Sequence, residues 1–271
     1  MPIETIRWEN FPSQFIRPHT IEIWLPPGYQ QNPSTRFPVL YMHDGQNLFY
    51  KRDAYSRVTW GVVPALMKLV RDGKAREAII VGIWTNDHRL QELMPEKPFS
   101  ESARGQAIYQ KHQDKIGIIE SDNYLKMLVE EVKPAVDQHY RTLTGPENTF
   151  VMGSSMGGLI SLYAICEYPQ VFGGAGCLST HWPFFKQLIV TYLKNHLPEP
   201  ATHKFYFDFG TVGLDAEYEP YQIKIDQVLR KGGYQAGVNW ITRKFDGAEH
   251  HESYWRKRVH IPLKLFLGKE K

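Results

Sequence analysis

Short β-rich runs alternate along the chain with longer stretches of helical period, the rhythm of strand–helix–strand units around a mostly parallel sheet. The first strand is expected at His19 to Trp24, stopped by Pro26-Pro27-Gly28 and followed by a polar turn from Gln30 to Arg36. Val39-Leu40-Tyr41-Met42 and Ala78-Ile79-Ile80-Val81-Gly82-Ile83-Trp84 are apolar without alternation, as strands covered on both faces are. Between them, Trp60 to Arg71 places Val62, Val63, Leu66, Met67 and Val70 at helical spacing, with Pro64 where a first turn tolerates it.

From Thr85 to about Gly117 the chain turns polar and loses its period, with Pro95 and Pro98 inside it. That segment reads as an inserted lid or pocket wall, or else as a solvated loop. Helical spacing returns at Leu125, Leu128, Val129, Val132 and Val136, with Ser121 as the expected N-cap. Further strands are expected at Thr149 to Met152, Ala175 to Leu178, Lys204 to Phe209 and Asn239 to Phe245, with an amphipathic helix at Phe184 to Leu193 and another at the C-terminus. With no repeat and no low-complexity linker, the 271 residues read as one α/β domain spanning residues 1–271.

Composition changes this picture little. A share of 42% hydrophobic and 23% charged residues is that of a soluble globular protein, and 32 basic against 29 acidic residues leave no field that would recruit nucleic acid or an anionic membrane. Met1 to Arg7 has no basic stretch leading into an apolar run, and no segment approaches the ~18 uninterrupted apolar residues of a membrane span, so a cytoplasmic location is expected. Cys166 and Cys177 fit neither a disulfide framework nor a zinc site and read as buried free thiols.

The candidate chemistry lies at Thr149-Phe150-Val151-Met152-Gly153-Ser154-Ser155-Met156-Gly157-Gly158, where G-x-S-x-G joins a strand to a helix. This is the nucleophile elbow: the turn projects Ser155, and Gly153 and Gly157 remove side chains that would collide across it. In this arrangement the acid and then the histidine follow the serine in the chain, which leaves His250, His251 and His260 as bases. His250 and His251 lie in a loop directly after the last strand, whereas His260 stands inside the C-terminal helix. Asp215, beyond the strand ending near Phe209, is the expected acid, with Asp208 on the strand itself as the second choice; Glu217 and Glu219 begin a helix. The amide of Met156 supplies one oxyanion donor, and that of Gln46, in the loop His43-Asp44-Gly45-Gln46, the second. Trp182, after another strand, is a candidate apolar wall for an acyl group or sugar, and Gln46 a second substrate contact. The histidines show no metal-ligand spacing, so no metal is expected.

Four segments in order resemble the esterase D family of α/β-hydrolases: HDGQNLF at His43 to Phe49, GSSMGG at Gly153 to Gly158, the loop Gly210 to Asp215, and GAEHHESYW at Gly247 to Trp255. The resemblance spans roughly His19 to Trp255. It implies an α/β-hydrolase fold and a serine carboxylesterase that needs no cofactor, with His250 rather than His251 as base. Short-chain acyl esters are implied as substrates, either small molecules or acylated carbohydrate. The elbow reads GSSMGG where S-formylglutathione hydrolases carry GHSMGG, which argues against that branch. An acyltransferase with the same triad and a noncatalytic binding protein on this fold are the other two readings, and oligomeric state is left open.

Overall fold

The computed structural model describes residues 3–269. One eight-stranded sheet runs through it in the order β1-β2-β4-β3-β5-β6-β7-β8. The strands are β1 (Thr5–Phe11), β2 (His19–Trp24), β3 (Val39–His43), β4 (Ile79–Ile83), β5 (Thr149–Ser154), β6 (Gly174–Leu178), β7 (Lys204–Gly210) and β8 (Trp240–Phe245). β1 and β2 are antiparallel to their neighbours, and every pair from β4 to β8 is parallel. In a parallel sheet all strands end at one edge, so the loops after β3, β5, β6, β7 and β8 meet there.

The unalternating apolar runs are explained by two cores. Val39, Tyr41, Val151, Phe205 and Phe207 face one, and Leu40, Met42, Phe150, Met152 and Tyr206 the other. Successive side chains along a strand point to opposite faces, so a strand covered on both sides has no polar position to alternate with. The first core is covered by α6 (Ser121–Lys126), α7 (Lys133–His139), α8 (Met156–Glu167), α9 (Gln187–His196) and α10 (Glu219–Lys231); a π-turn at Met127–Val132 joins α6 to α7. The second is covered by α2 (Val62–Arg71) and α12 (His260–Leu267), with Trp255 of α11 (Glu252–Arg258). The remaining helix before α2, α1 (Gly28–Gln31), replaces part of the expected polar turn.

Three expectations are corrected. The stretch from Thr85 to Gly117, though without a clear period, is not a solvated loop: it forms α3 (Arg89–Glu92), α4 (Lys97–Ser100) and α5 (Ala103–Ile116), the last capped by Ser102, whose side chain accepts from Gly105 N. Leu93, Met94, Phe99 and Ile116 from this stretch are buried in the first core, so much of it is packed onto the domain. Ser121 does not cap its helix but begins it, and its Oγ accepts from Glu96 N at 3.1 Å instead. The N-terminal edge strand β1 was not expected at all; it lies half exposed, and its apolar residues Trp8 and Phe11 are only partly buried.

Cys166 and Cys177 are free and buried, and burial pushes both thiols up. No described helix is long and apolar enough to cross a membrane.

Candidate active site

β5 ends at Ser154, and Ser155 follows with φ 57° and ψ −120°, a conformation costly for any residue with a side chain. A serine at a helix start ordinarily caps it by accepting a backbone N–H. Ser155 makes no such bond, so its hydroxyl is not spent on α8. The elbow is tight enough to dictate its neighbours: a Cβ on Gly153 would lie 2.6 Å from the carbonyl carbon of Gly157, and one on Gly158 would lie 2.8 Å from Thr180 Oγ1. Met156 opens α8, so its amide is among the first-turn donors that have no acceptor within the helix.

The acid and the imidazole arrive from the next strand ends. After β7 a 3-10 turn, Gly213–Glu217, carries Asp215, which is fully buried. Its Oδ2 accepts from Gly210 N at 2.7 Å and from Ser179 Oγ at 2.6 Å, and its Oδ1 lies 2.6 Å from His250 Nδ1. Burial raises the Asp215 carboxyl, but the bonds from His250, Ser179 and Gly210 outweigh it and hold the group below the usual carboxylate range. An ionised carboxylate only accepts, so Nδ1 of His250 carries the proton and Nε2 is left as the basic nitrogen. The loops after β7 and β8 are stitched together, with Thr211 N and Val212 N both donating to Ala248 O at 3.0 and 3.1 Å. Gly210 is required there, since a Cβ would stand 2.1 Å from that same oxygen. The imidazole of His250 is set edge-on between Tyr218 and Trp255, with ring centroids 5.9 and 5.1 Å away.

The structure thus joins Asp215 to His250 and places Ser155 at the same sheet edge, two strands along. No hydrogen bond joins Ser155 Oγ to His250 among the described residues; contacts of this kind often tighten only around substrate. His251 is not part of this arrangement: it caps α11, its Nδ1 accepting from Ser253 N at 3.1 Å. Asp208 is engaged elsewhere, accepting from Tyr206 OH at 2.8 Å and pairing with Arg258 at 3.0 Å. Burial pushes the Asp208 carboxyl up to about 6 against the pull of Arg258. His260 is exposed at the start of α12.

After β3, Asp44 takes a left-handed turn at φ 57° and a 3-10 turn, Gly45–Asn47, carries Gln46. A Cβ on Gly45 would lie 2.6 Å from the carbonyl carbon of Gly82, so this loop sits directly against β4. The Gln46 side chain is committed to Thr85, giving a hydrogen bond to its Oγ1 at 2.8 Å and accepting one from its backbone N at 3.2 Å. The Gln46 side chain, expected as a substrate contact, is thus occupied by Thr85, while its backbone N–H takes no part in these bonds. The loop touches the elbow: a Cβ on Gly157 would meet Asp44 Oδ2 at 3.3 Å and the His43 Cβ at 3.4 Å. His43 itself is buried beside Tyr124 OH at 2.7 Å, and burial lowers its pKa to about 3, so it stays neutral.

Trp182 is corrected. It is fully buried, donates its Nε1 to Gln222 Oε1 at 3.2 Å and packs against Phe207, so it belongs to the core and walls no pocket. His181, one residue earlier, takes the position nearer the site: its backbone N donates to Ser155 O at 3.3 Å and its Nδ1 lies 2.9 Å from Tyr218 OH. Burial, then the charges of His250 and Arg89, lower its pKa.

Arg89, which no sequence signal marks, is drawn to the loop after β3. It binds Asp44 through two bonds, Nε to Oδ1 at 2.6 Å and Nη2 to Oδ2 at 2.8 Å, across a separation that no local pattern spans. Burial raises the Asp44 carboxyl, and the charge and bonds of Arg89 more than reverse this. A carboxyl depressed on folding contributes stability above its unfolded value, near pH ~4, and loses that contribution as pH falls through its folded value. Arg89 is 36% exposed against 6% for Asp44, so solvent screens part of the pair. Arg89→Leu is therefore expected to cost about 1–3 kcal/mol at neutral pH and clearly less near pH 3, measured as thermal unfolding of both proteins at the two pH values. Among the described residues no group of three or more His, Cys, Asp or Glu side chains is arranged to hold a metal ion.

The model of the family described as putative esterase matches residues 13–260. The uncharacterised protein YbbA of Bacillus subtilis is 25% identical over 256 residues, 92% of each chain. An endo-1,4-beta-xylanase/feruloyl esterase of Xylanibacter ruminicola is 25% identical over 245 residues, 88% of this chain but only 28% of that protein. Among solved structures, a ferulic acid esterase superposes with a TM-score of 0.70 at 18% identity, covering 98% of this chain and 99% of that one. An enterobactin esterase of Shigella flexneri superposes with a TM-score of 0.71, also at 18% identity, covering 98% of this chain and 58% of that one. These structures share the α/β-hydrolase fold, which the mostly parallel sheet flanked by helices displays here.

Proposed function

The chain belongs to the putative esterase family and is an ester-hydrolysing enzyme, and from that premise we propose that it works as a serine carboxylesterase through an acyl-enzyme on Ser155. The observation that carries this reading is the 2.6 Å bond between buried Asp215 and His250, at the sheet edge where the strained elbow presents Ser155.

In this mechanism His250 Nε2 takes the Ser155 proton as the hydroxyl oxygen attacks the ester carbonyl, and Asp215 stabilises the imidazolium that forms. The carbonyl oxygen becomes an oxyanion held by the amides of Met156 and Gln46, each such donor worth on the order of 3 kcal/mol of barrier. The tetrahedral intermediate collapses by breaking the bond to the alcohol, which leaves with the proton from His250. Water then attacks the acyl-enzyme with His250 again as base, the bond to Ser155 Oγ breaks as His250 returns the proton to that oxygen, and the acid departs. No step calls for a cofactor. The substrates we propose are short-chain acyl esters, free or carried on a carbohydrate; one relative, of which this chain covers 28%, is named as a xylanase and feruloyl esterase, which favours the carbohydrate-borne option.

A fluorophosphonate probe tests the acyl-enzyme step. One equivalent is expected to add to the native protein, on the peptide containing Ser155, with parallel loss of p-nitrophenyl acetate and butyrate hydrolysis. Hydrolysis that persists after full exposure to the probe, or a label on another residue, sinks the mechanism.

A further inference from the structure

Ser179 lies at the end of β6, between the strand that carries Ser155 and the one that leads to Asp215. It is fully buried, and its φ of 41° falls in the left-handed region, where glycine sits with less strain. Strain of this kind points to a use for the side chain that is present. Its backbone N donates to Asp208 O at 2.8 Å, which fixes the turn.

Three groups surround the Ser179 oxygen. Trp255 Nε1 lies 2.9 Å away, Arg258 Nη2 2.7 Å and Asp215 Oδ2 2.6 Å. The indole and the guanidinium can only donate. A hydroxyl has two lone pairs and one proton, so with both lone pairs taken the proton has one remaining acceptor, Asp215. No water competes, because Ser179 and Asp215 are both fully buried.

We infer that Ser179 is a positioning residue for the acid of the triad, its hydroxyl locked by Trp255 and Arg258 so that it donates to Asp215 and holds Oδ1 toward His250. This rests on the reading of Ser155, His250 and Asp215 given above. Oδ2 takes two donors, Ser179 and Gly210 N, and Oδ1 is left for the imidazole. With the Gly210 amide alone, the carboxylate is free to rotate out of line. The lock is itself anchored: Arg258 pairs with Asp208 and lies over the Phe245 ring, and Trp255 packs edge-on against His250. Asp208, another buried carboxylate of the region, thereby acts on the imidazole only through Arg258, Ser179 and Asp215, by holding Arg258.

Ser179→Ala and Ser179→Gly, with Ser155→Ala beside them, test the inference on p-nitrophenyl acetate after circular dichroism has shown each protein folded. The glycine variant relieves the backbone strain, so it separates loss of the hydroxyl from loss of the fold. Both Ser179 variants are expected to lose at least about tenfold in kcat with KM changed less than about twofold, since general-base efficiency and not binding is impaired. The acid limb of kcat/KM is expected to move to lower pH, because an imidazolium facing a loosely held carboxylate is less stabilised. The charged and titratable groups around His250 are Asp215, Tyr218, His181 and, through His181, Arg89, with Asp208 and Arg258 behind Ser179. All of them are unchanged in these variants. Wild-type kcat per folded molecule, or a fall with an unmoved acid limb, overturns the inference. If Ser155→Ala is inactive while the Ser179 variants behave as wild type, only this inference fails; if Ser155→Ala hydrolyses normally, the triad reading fails first.

Discussion

Ser155→Ala is expected to lower kcat for p-nitrophenyl esters by on the order of 10⁴- to 10⁶-fold, the range set by losing the nucleophile of a triad that acts as a unit. The residual rate comes from the oxyanion donors and from binding. Stability is expected to change by less than about 0.5 kcal/mol, because the Ser155 hydroxyl caps no helix and alanine meets the same backbone strain. Ser155→Gly sharpens the result. It loses as much activity, yet glycine accepts φ 57°, so its melting temperature is expected to rise above that of the alanine variant. Turnover near the wild-type rate in either variant would place the nucleophile elsewhere, and a glycine variant less stable than alanine would show that the elbow is not strained.

Asp215→Asn is expected to cost about 10⁴-fold in kcat while the protein remains folded. The argument is one of hydrogen-bond direction. The Oδ2 position receives two donors, Gly210 N and Ser179 Oγ, so the asparagine must place its carbonyl oxygen there. Its NH₂ then faces His250 Nδ1, where the acid oxygen stood at 2.6 Å. That group donates, so Nδ1 becomes the acceptor and the proton moves to Nε2, where it disables the base. Raising the pH does not restore the rate, because the fault is the tautomer and not the charge. Asp215→Asn with a rate within tenfold of wild type would mean that Asp215 does not orient the base.

The elements that sequence alone made legible are those set by short-range rules. Strands β3, β4, β5 and β7 are readable because burial on both faces removes every polar position from Val39 to Met42 or Ile79 to Ile83, and the elbow is readable because Gly153 is dictated by a clash with a residue four positions away. Chain order and a place beyond the last strand narrow the base to His250 or His251, and the choice of His250 comes from the resemblance alone. Where the outside of an element carries most of its residues, the pattern fades. In α5 only Gly105 and Ile116 are buried, so Ala103–Ile116 shows almost no apolar stripe, and β1 as an edge strand is half wet.

Everything that depended on which distant side chain arrives was settled by the tertiary structure. An aromatic after a strand end faces either a pocket or the core, and Trp182 faces the core because Gln222 of α10 meets its N–H there. Of two carboxylates near one strand end, position past the strand favours Asp215 over Asp208, but the partners come from packing, which gives Arg258 to Asp208 and His250 to Asp215. Arg89 on Asp44, and Ser179 between Arg258 and Asp215, left no trace in spacing at all. The chain by itself determined the sheet, the elbow and the order of its candidate chemistry, because backbone sterics and hydrophobic period act over a few residues. Only the folded protein decided how the acid is held, because a hydrogen bond between residues dozens of positions apart exists only once parallel strands have brought their ends to one edge.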